Sequence, residues 1–570
     1  MRSTLVPFFG ALIAALHSCP AQAKPAQPTS PNPPGYDQAL ARYNECKVRI
    51  PFRHHVEGRQ RLAETRLALA LPLLAGDYAN AKTFPDESRY TLAALFGRNF
   101  DRAEFVDALT ALRTANAKPV DTWLWVQALR IQTDHVGDSD VIAIAIDSKS
   151  ALHRAAAIAA IGGSRNANLK AVVVPNCVAF PPKNKEADRM AILGALSGAL
   201  FENRTRVNDA EYREALTAYI GLLADDVGLS HTAKVQMARH LQWILKGPAL
   251  FVNQEPWLEL MARGEVKRPG PSHTVVAPRF FGVETEGERI CYVVDMSDSM
   301  CKEIHPSSKP PTAPVTGPRV KKKRELMDES DLPWNKINTR WDLARENLRI
   351  SLFRLTPDKH FSIVWFGTEA EPLESCKGMI KATKGNIDRV IAELDSIEAK
   401  MPDKLSPEDK VKSPDGQLRG RTNMHAGLKK AYGLAGRGFV DKVAYVDPEA
   451  LTEGCDTIFL LSDGAPSYDD YEGLDKDYGE GNVVVDQEYD APAKRTPQLY
   501  YPGPYVDENW LVEDVKRMNA FRRIRLHCIG LGEANMGLLR RLAEMGHGEV
   551  YAVGDKQKQD LEKAKGDEKK

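Results

Sequence analysis

Between residues 286 and 556, short apolar runs alternate with stretches of helical spacing, and this alternation limits the fold more than any other feature of the chain. The runs are Ile290-Cys291-Tyr292-Val293-Val294, Phe361-Ser362-Ile363-Val364-Trp365-Phe366, Ile458-Phe459-Leu460-Leu461, Ile524-Arg525-Leu526-His527-Cys528-Ile529 and Val550-Tyr551-Ala552-Val553. Most are apolar with no polar alternation, as expected of strands buried on both faces. Candidate helices fall between them at 339–355, 386–399, 423–434, 510–522 and 535–545. Strand and helix in turn predict an α/β doubly wound, mostly parallel sheet with helices on each side.

Three separated segments then come to one edge of that sheet: Asp295-Met296-Ser297-Asp298-Ser299, Thr422, and Asp463-Gly464. Asp295 follows the first apolar run and Asp463 follows the run at 458–461, so both aspartates sit just past the carboxyl end of a strand. Ligands of open α/β sheets bind at that edge. Carboxylate and hydroxyl oxygens are hard donors suited to Mg²⁺, with Mn²⁺ or Ca²⁺ as substitutes. Such an ion keeps water in part of its shell, which leaves room for an outside ligand. Asp-x-Ser-x-Ser is a weak pattern by itself, because Ser and Asp crowd ordinary turns. The order of the pieces and their place after buried strands give it weight.

The grouping resembles the metal-ion-dependent adhesion site of the von Willebrand factor A (VWA) domain, whose pattern is Asp-x-Ser-x-Ser, a distant Thr and a distant Asp, over roughly residues 286–556. The resemblance implies a Rossmann-like fold in which Ser297, Ser299 and Thr422 reach the ion through hydroxyls. It implies that Asp295 and Asp463 bind the ion directly or through water, and that a carboxylate of a protein partner completes the shell. Asp298 departs from the family, which usually has Gly between the two serines. Asp tolerates left-handed backbone angles better than most residues, so the turn is expected to survive. Its charge, if turned toward the ion, would weaken attraction for an acidic ligand. The plain alternative is an A-type domain that kept the scaffold and lost the ion.

The first residues read as a signal peptide over 1–23: Arg2, an apolar stretch from Leu5 to Leu16 too short to span a bilayer, and Ala21-Gln22-Ala23 before Lys24. Leu16-His17-Ser18-Cys19 loosely resembles a lipobox, which would make the chain a lipoprotein anchored at Cys19, although His17 and Pro20 fit that poorly. No later segment is long and apolar enough for a membrane helix. The expected location is therefore the periplasm, the cell surface or the medium. A Pro-rich segment covers 24–37. Residues 38–265 are rich in Ala and Leu at three- and four-residue spacing, at 61–74, 105–112, 123–131, 155–161, 190–200, 212–223 and 235–245. They predict either a helical solenoid resembling HEAT-type repeats or one irregular helical domain, with Trp123, Trp125 and Trp243 in its core. A linker follows at 266–285, containing Pro269-Gly270-Pro271, with Phe280-Phe281-Gly282-Val283 expected against the sheet edge. A charged tail closes the chain at 557–570.

Lys+Arg and Asp+Glu are both 77, so no global charge recruits nucleic acid or an anionic membrane. Beyond Cys19 the cysteines are Cys46, Cys177, Cys291, Cys301, Cys376, Cys455 and Cys528, an odd number without a CxxC spacing. Cys291 and Cys528 fall in core strands; a Cys301 to Cys376 bridge is left open. Three insertions, at about 302–336, 401–419 and 466–508, leave from the metal-bearing edge and should form a rim around it. The first carries Lys321-Lys322-Lys323-Arg324, read as a solvated run or a patch for an anionic partner. In the third, Asp475 and Asp477 lack the full loop of an EF-hand, while Tyr500, Tyr501 and Tyr505 suit either a recognition surface or packing.

Enzymatic signatures are missing: there is no G-x-S-x-G, P-loop, H-E-x-x-H or dinucleotide fingerprint. His425, three residues after Thr422, could serve as a base near the metal, or as an exposed or capping residue of the helix at 423–434. The sequence thus predicts an exported, non-enzymatic adhesion or assembly protein whose cation accepts an acidic group of a protein partner. Its alternatives are an envelope assembly scaffold, with recognition on the helical domain and a structural metal, and a metal-dependent hydrolase. Oligomeric state is not legible.

Overall fold

The structure, a computed structural model, describes the chain apart from residues 1–31, 49–51, 83, 248–251, 265–276, 305–322, 368, 400–417, 419–421, 441–444, 467–504, 506 and 555–570. The signal-peptide and lipidation readings, Lys321 and Lys322, and the aspartates and Tyr500-Tyr501 of the third insertion lie outside the described residues. By contact density the chain forms two compact units. One comprises the chain up to Ala179 with Thr205–Leu216; the other comprises Phe180–Arg204 and the chain from Thr217 onward. This division does not fall at the 266–285 linker.

The first unit is helical: α1 (Tyr36–Cys46), α2 (Phe52–Glu64), α3 (Ala70–Asn80), α4 (Pro85–Asn99), α5 (Val106–Ala115), α6 (Thr122–His135), α7 (Ser139–Asp147), α8 (Ala151–Gly162) and α9 (Leu169–Val178). α2 packs on α4, α4 on α6 and α6 on α8, so layers form between next-but-one helices. α5 presents one apolar stripe, Val106, Leu109 and Leu112, whereas α4 is buried at every position from Tyr90 to Gly97. In α6, Trp123 and Trp125 are buried, and Trp125 stacks on His153 while its indole donates to the Asn116 carbonyl at 2.8 Å. The stretch 61–74, expected as one helix, is two. Arg66 takes φ 54°, its N–H closes onto the Ala63 carbonyl, and the Thr65 hydroxyl donates to Leu62 O at 2.7 Å. A left-handed residue with local side-chain bonding ends a helix that spacing alone would continue.

In chain order the remaining helices are α10 (Glu186–Glu202), α11 (Ala210–Gly221), α12 (His231–Leu245), α13 (Gln254–Arg263), α14 (Arg340–Phe353), α15 (Lys384–Ser396), α16 (Met424–Gly433), α17 (Pro448–Glu453), α18 (Glu508–Asn519) and α19 (Met536–Met545). The strands are β1 (Arg279–Phe280), β2 (Val283–Glu284), β3 (Arg289–Asp295), β4 (His360–Phe366), β5 (Ala370–Pro372), β6 (Ile380–Lys381), β7 (Leu434–Ala435), β8 (Gly438–Phe439), β9 (Thr457–Ser462), β10 (Arg525–Gly530) and β11 (His547–Ala552). The main sheet runs β11-β10-β9-β3-β4-β5, with β6 also on β4. Its first five strands are parallel, while β5 and β6 pair with β4 antiparallel. This mixed sheet, with helices on both faces, is an α/β arrangement.

Alternation along β3 assigns the faces. Ile290, Tyr292 and Val294 join one apolar cluster with Trp341, Leu348, Val390 and Leu394 of α14 and α15. On the other face α16 packs on β3 and β4, and α19 on β10 and β11. Side-chain caps start these helices: Thr339 accepts from Asp342 N–H, Asn423 from Ala426, and Asn535 from Leu538. The 280–283 segment forms a two-stranded ribbon of its own, and Phe280 lies over Tyr292 and Phe459 on the sheet face rather than against its edge.

The helices α10 and α12 belong with this sheet and close its amino edge. Arg239 of α12, 1% exposed, donates to Thr457 Oγ1 at 3.0 Å and meets Asp456 Oδ1 at 3.3 Å. Gln236 donates to the Arg522 carbonyl at 3.3 Å. Gly194 of α10 lies so close to the Phe521 carbonyl that a Cβ would stand 1.9 Å from its oxygen. Trp243, half-buried, packs its ring on His547 at the start of β11. None of the seven described cysteines is in a disulfide, so Cys301 and Cys376 are not bridged. Among the described residues no helix is long and apolar enough to cross a membrane.

Candidate metal centre

The chain passes from β3 to β4 on one side of the sheet, while β9 pairs on the other side of β3. The gap between the carboxyl ends of β3 and β9 is therefore a topological switch point, where open sheets form a crevice. In register Val294 pairs with Leu461, so Asp295 comes level with Ser462 and Asp463 follows one residue further into that crevice.

Four of the five expected ligands form one hydrogen-bonded chain. Asp295 Oδ1 accepts the Ser297 N–H at 3.0 Å, Ser297 Oγ lies 3.0 Å from Ser299 Oγ, and Ser299 Oγ donates to Asp463 Oδ1 at 2.6 Å. Thr422 joins from a third loop, which the bond from Asn423 N–H to the Gly367 carbonyl ties to the end of β4. Its hydroxyl faces the Asp463-Gly464 turn, 3.6 Å from where a Cβ on Gly464 would be. Asp295, Ser297, Thr422 and Asp463 are all buried, and Ser299 is half-buried. The loop turns differently from the expectation: Asp298 opens a 3₁₀ turn, Asp298–Cys301, and is not among the residues with positive φ. An extended Ser297 followed by a right-handed 3₁₀ turn brings both serine hydroxyls together without a left-handed position.

Burial, reinforced by the charge of Asp463, pushes the Asp295 carboxyl up to about 7, against the opposing bonds from Ser297 and Ser462. Burial likewise raises Asp463, while Ser299 and Arg340 pull it back. A pair of dry carboxylates with hydroxyls around them is hard-oxygen chemistry with negative charge left over. The donor set fits a hard dication: Asp295, Ser297, Ser299, Thr422 and Asp463 would hold it, and the ion would supply positive charge and open positions for an outside oxygen.

Sequence reasoning missed two members of the cluster. Ser462, the last residue of β9, donates to Asp295 Oδ2 at 2.9 Å. Arg340, the first residue of α14, places Nη1 2.7 Å from Asp463 Oδ2 and 2.6 Å from Glu533 Oε2. A serine ending a strand and an arginine opening a helix carry no pattern of their own. His425 is neither exposed nor a cap: it is buried, with Nε2 2.8 Å from Asp514 Oδ2, under the Tyr505 ring. Arg517 clasps Asp514 from the other side at 2.7 Å. Tyr505, 3% exposed and stacked on Trp510, is a core residue rather than part of a recognition surface. The basic run ends in an intramolecular pair, Arg324 with Asp388 at 3.0 Å.

In the helical unit Cys46, His54 and Glu57 bring one ligand atom each within 4.8 Å of one another. Arg42 and Arg61 already hold the Glu57 carboxylate at 2.8 and 3.1 Å, which neutralises the one hard ligand of the group.

No family model matches the chain, and no curated protein does. Among solved structures the chain is similar to that of an aerotolerance-related membrane protein from Bacteroides fragilis NCTC 9343 with multiple mutations to serines. Identity is 10%, the TM-score is 0.22, and the match covers 49% of this chain and 98% of that one. At that score the likeness carries no weight for fold or function.

Proposed function

We propose that this chain is an exported, non-enzymatic adhesion or assembly protein of the VWA type, whose switch-point cluster binds Mg²⁺ and, through it, a carboxylate of a protein partner. The observation that carries this reading is the convergence of Asp295, Ser297, Ser299 and Asp463 in one largely buried hydrogen-bonded chain at the carboxyl edge. Among the described residues α10 and α12 dock at the amino edge, opposite the ligand-bearing one. Affinity would come from replacing metal-bound water with carboxylate, and selectivity from the three insertions. The hydrolase reading is weaker, since the nearest histidine in sequence, His425, is held in the interior by Asp514.

Mg²⁺ or Mn²⁺ should raise the melting temperature of the wild type by binding the folded state alone. The Asp295→Ala, Asp463→Ala double variant should lose that increment. Equal Mg²⁺ heats in calorimetry for the two proteins would remove the assignment. A crosslinking pulldown from the native envelope, with and without chelator, tests the partner: a chelator-sensitive protein prey supports adhesion, and a prey insensitive to chelator moves recognition away from the ion.

A further inference from the structure

The guanidinium of Arg340 occupies a place prepared for it. Thr339 and Asp342 close a capping box around the start of α14, and the Arg340 N–H donates to the Lys302 carbonyl at 3.0 Å. That bond is part of a short stem, in which Ile304 N–H also reaches the Asn338 carbonyl at 3.0 Å, so the base of the first insertion fixes where the arginine begins. At the other end Gly532 has φ +60°, and a Cβ there would stand 2.3, 2.4 and 2.6 Å from three guanidinium atoms. Glycine is needed at this point both for its backbone angle and for its lack of a side chain. The next residue, Glu533, donates its N–H to the Asp463 carbonyl at 2.9 Å while its carboxylate receives Arg340. Two loops and a helix terminus thus hold one buried cation on one proposed ligand, Asp463 Oδ2.

Resting on the metal reading above, we propose that Arg340 is a built-in counter-cation that sets the affinity of the site. It neutralises Asp463 when no ion is bound, keeping the empty cluster folded, and it weakens the hold on a bare dication. The physical ground is direct. A carboxylate oxygen already bonded to a guanidinium at 2.7 Å offers a cation less negative charge than a free one. The Asp295 carboxylate receives only N–H and O–H donors among the contacts described, so the two aspartates are unequal: one is compensated and one is left for the ion. Mutual repulsion between two dry carboxylates is otherwise large enough to hold one of them protonated.

The test is Mg²⁺ calorimetry, with thermal unfolding in chelator and in excess Mg²⁺, on the full chain and on Arg340→Met, Arg340→Lys and Gly532→Ala. An opposite charge beside an aspartate changes its affinity for a proton by about one to three powers of ten, and the same field acts on a metal ion. Arg340→Met should therefore bind Mg²⁺ about tenfold more tightly or better, melt lower than wild type in chelator, and recover that loss in Mg²⁺. Arg340→Lys should stay near wild type, because it keeps the charge. Gly532→Ala, which pushes the guanidinium aside without removing it, should tighten Mg²⁺ binding in the same direction. It also covers the case in which Arg340→Met does not fold without cation. The proposal is overturned if wild type binds Mg²⁺ and neither Arg340→Met nor Gly532→Ala binds it more tightly, or if Arg340→Lys and Arg340→Met shift alike. If none of the proteins binds Mg²⁺, the metal reading falls together with it.

Discussion

The two edges of the central sheet carry similar residues and resolve their charge in opposite ways. At the amino edge Asp456 is buried, yet every side of its carboxylate is answered: Glu288 and Arg289 N–H at 2.9 and 3.1 Å, the Thr457 hydroxyl at 2.9 Å and Arg239 at 3.3 Å. Around it Arg522 donates to the Tyr432 and Cys455 carbonyls at 2.8 and 3.0 Å, capping strand and loop ends with charge-assisted bonds. At the carboxyl edge two buried aspartates stand together, Arg340 pairs with Asp463 while Asp295 receives N–H and O–H donors, and burial together with the charge of Asp463 pushes the Asp295 carboxyl up to about 7. Satisfied buried charge builds a joint between helices and sheet, whereas surplus buried charge is the ground on which the proposed binding site rests.

If the amino edge is a joint, breaking it should cost much and ignore cations. Arg239→Ala leaves Asp456 buried without its cation, and removing one partner of such a pair costs about 3–5 kcal/mol. Urea unfolding should show that loss unchanged in Mg²⁺ and in chelator. A cost under about 1 kcal/mol would mean that Arg239 is a surface-like contact and that α12 is only loosely attached.

A smaller and pH-dependent loss is expected from the histidines of the same edge. His547 lies 3.1 Å from Arg523 Nη2 and between the Phe201 and Trp243 rings, with Arg204 and Arg525 nearby. Burial first, then those arginines, lower its pKa from 6.5 to about 2. The folded state thus holds it neutral. Its contribution is complete above the unfolded value of 6.5 and declines as pH falls from there toward 2. One pH unit below the unfolded value, that is about 1.4 kcal/mol. His240 and His527, both lowered by burial and by neighbouring arginines, add slopes of the same sign. Comparing urea unfolding at pH 7.5 and 5.5, wild type should lose stability and His547→Asn should lose less, Asn being chosen because His547 sits at φ 52°. An unchanged slope would show that His547 does not titrate with folding.

The contrast between the edges also separates what the sequence made legible from what it did not. Strands β3, β4 and β9 were readable because a strand covered on both faces becomes an uninterrupted apolar run, and the caps Thr339, Asn423 and Asn535 mark where helices begin. Asp295 and Asp463 were readable because they end such runs. The joint was not. Gly194, Gln236 and Arg239 are small or polar, and periodicity assigns such positions to solvent; only the partner surface of Phe521, Arg522 and Asp456 reveals that they are buried. Arg340 was hidden for the same reason, since an arginine opening a helix reads as a surface residue until the loop at Gly532 is folded over it. Long-range polar pairing leaves no local pattern, and in this chain it decides both where α10 and α12 dock and how the site is charged.

A modest change in stability tests the comparison from the other side. Ser299→Ala removes the donor to Asp463 Oδ1, but Asp463 keeps Arg340 on its second oxygen and Ser299 is only half-buried. Losing one such bond to a charged group should cost the ion-free protein about 1.5 kcal/mol, the low end of the range for such bonds and still below the cost of Arg239→Ala. The same hydroxyl is a proposed ligand, so the Mg²⁺ increment in melting temperature should shrink markedly. The two variants then form a crossed pair: one lowers stability strongly and leaves the cation response intact, the other lowers it less and weakens the response. If Ser299→Ala instead destabilises strongly and equally with and without Mg²⁺, the serine chain is a structural element like the amino-edge joint. The carboxyl edge would then have to be read as a second joint rather than as a binding site.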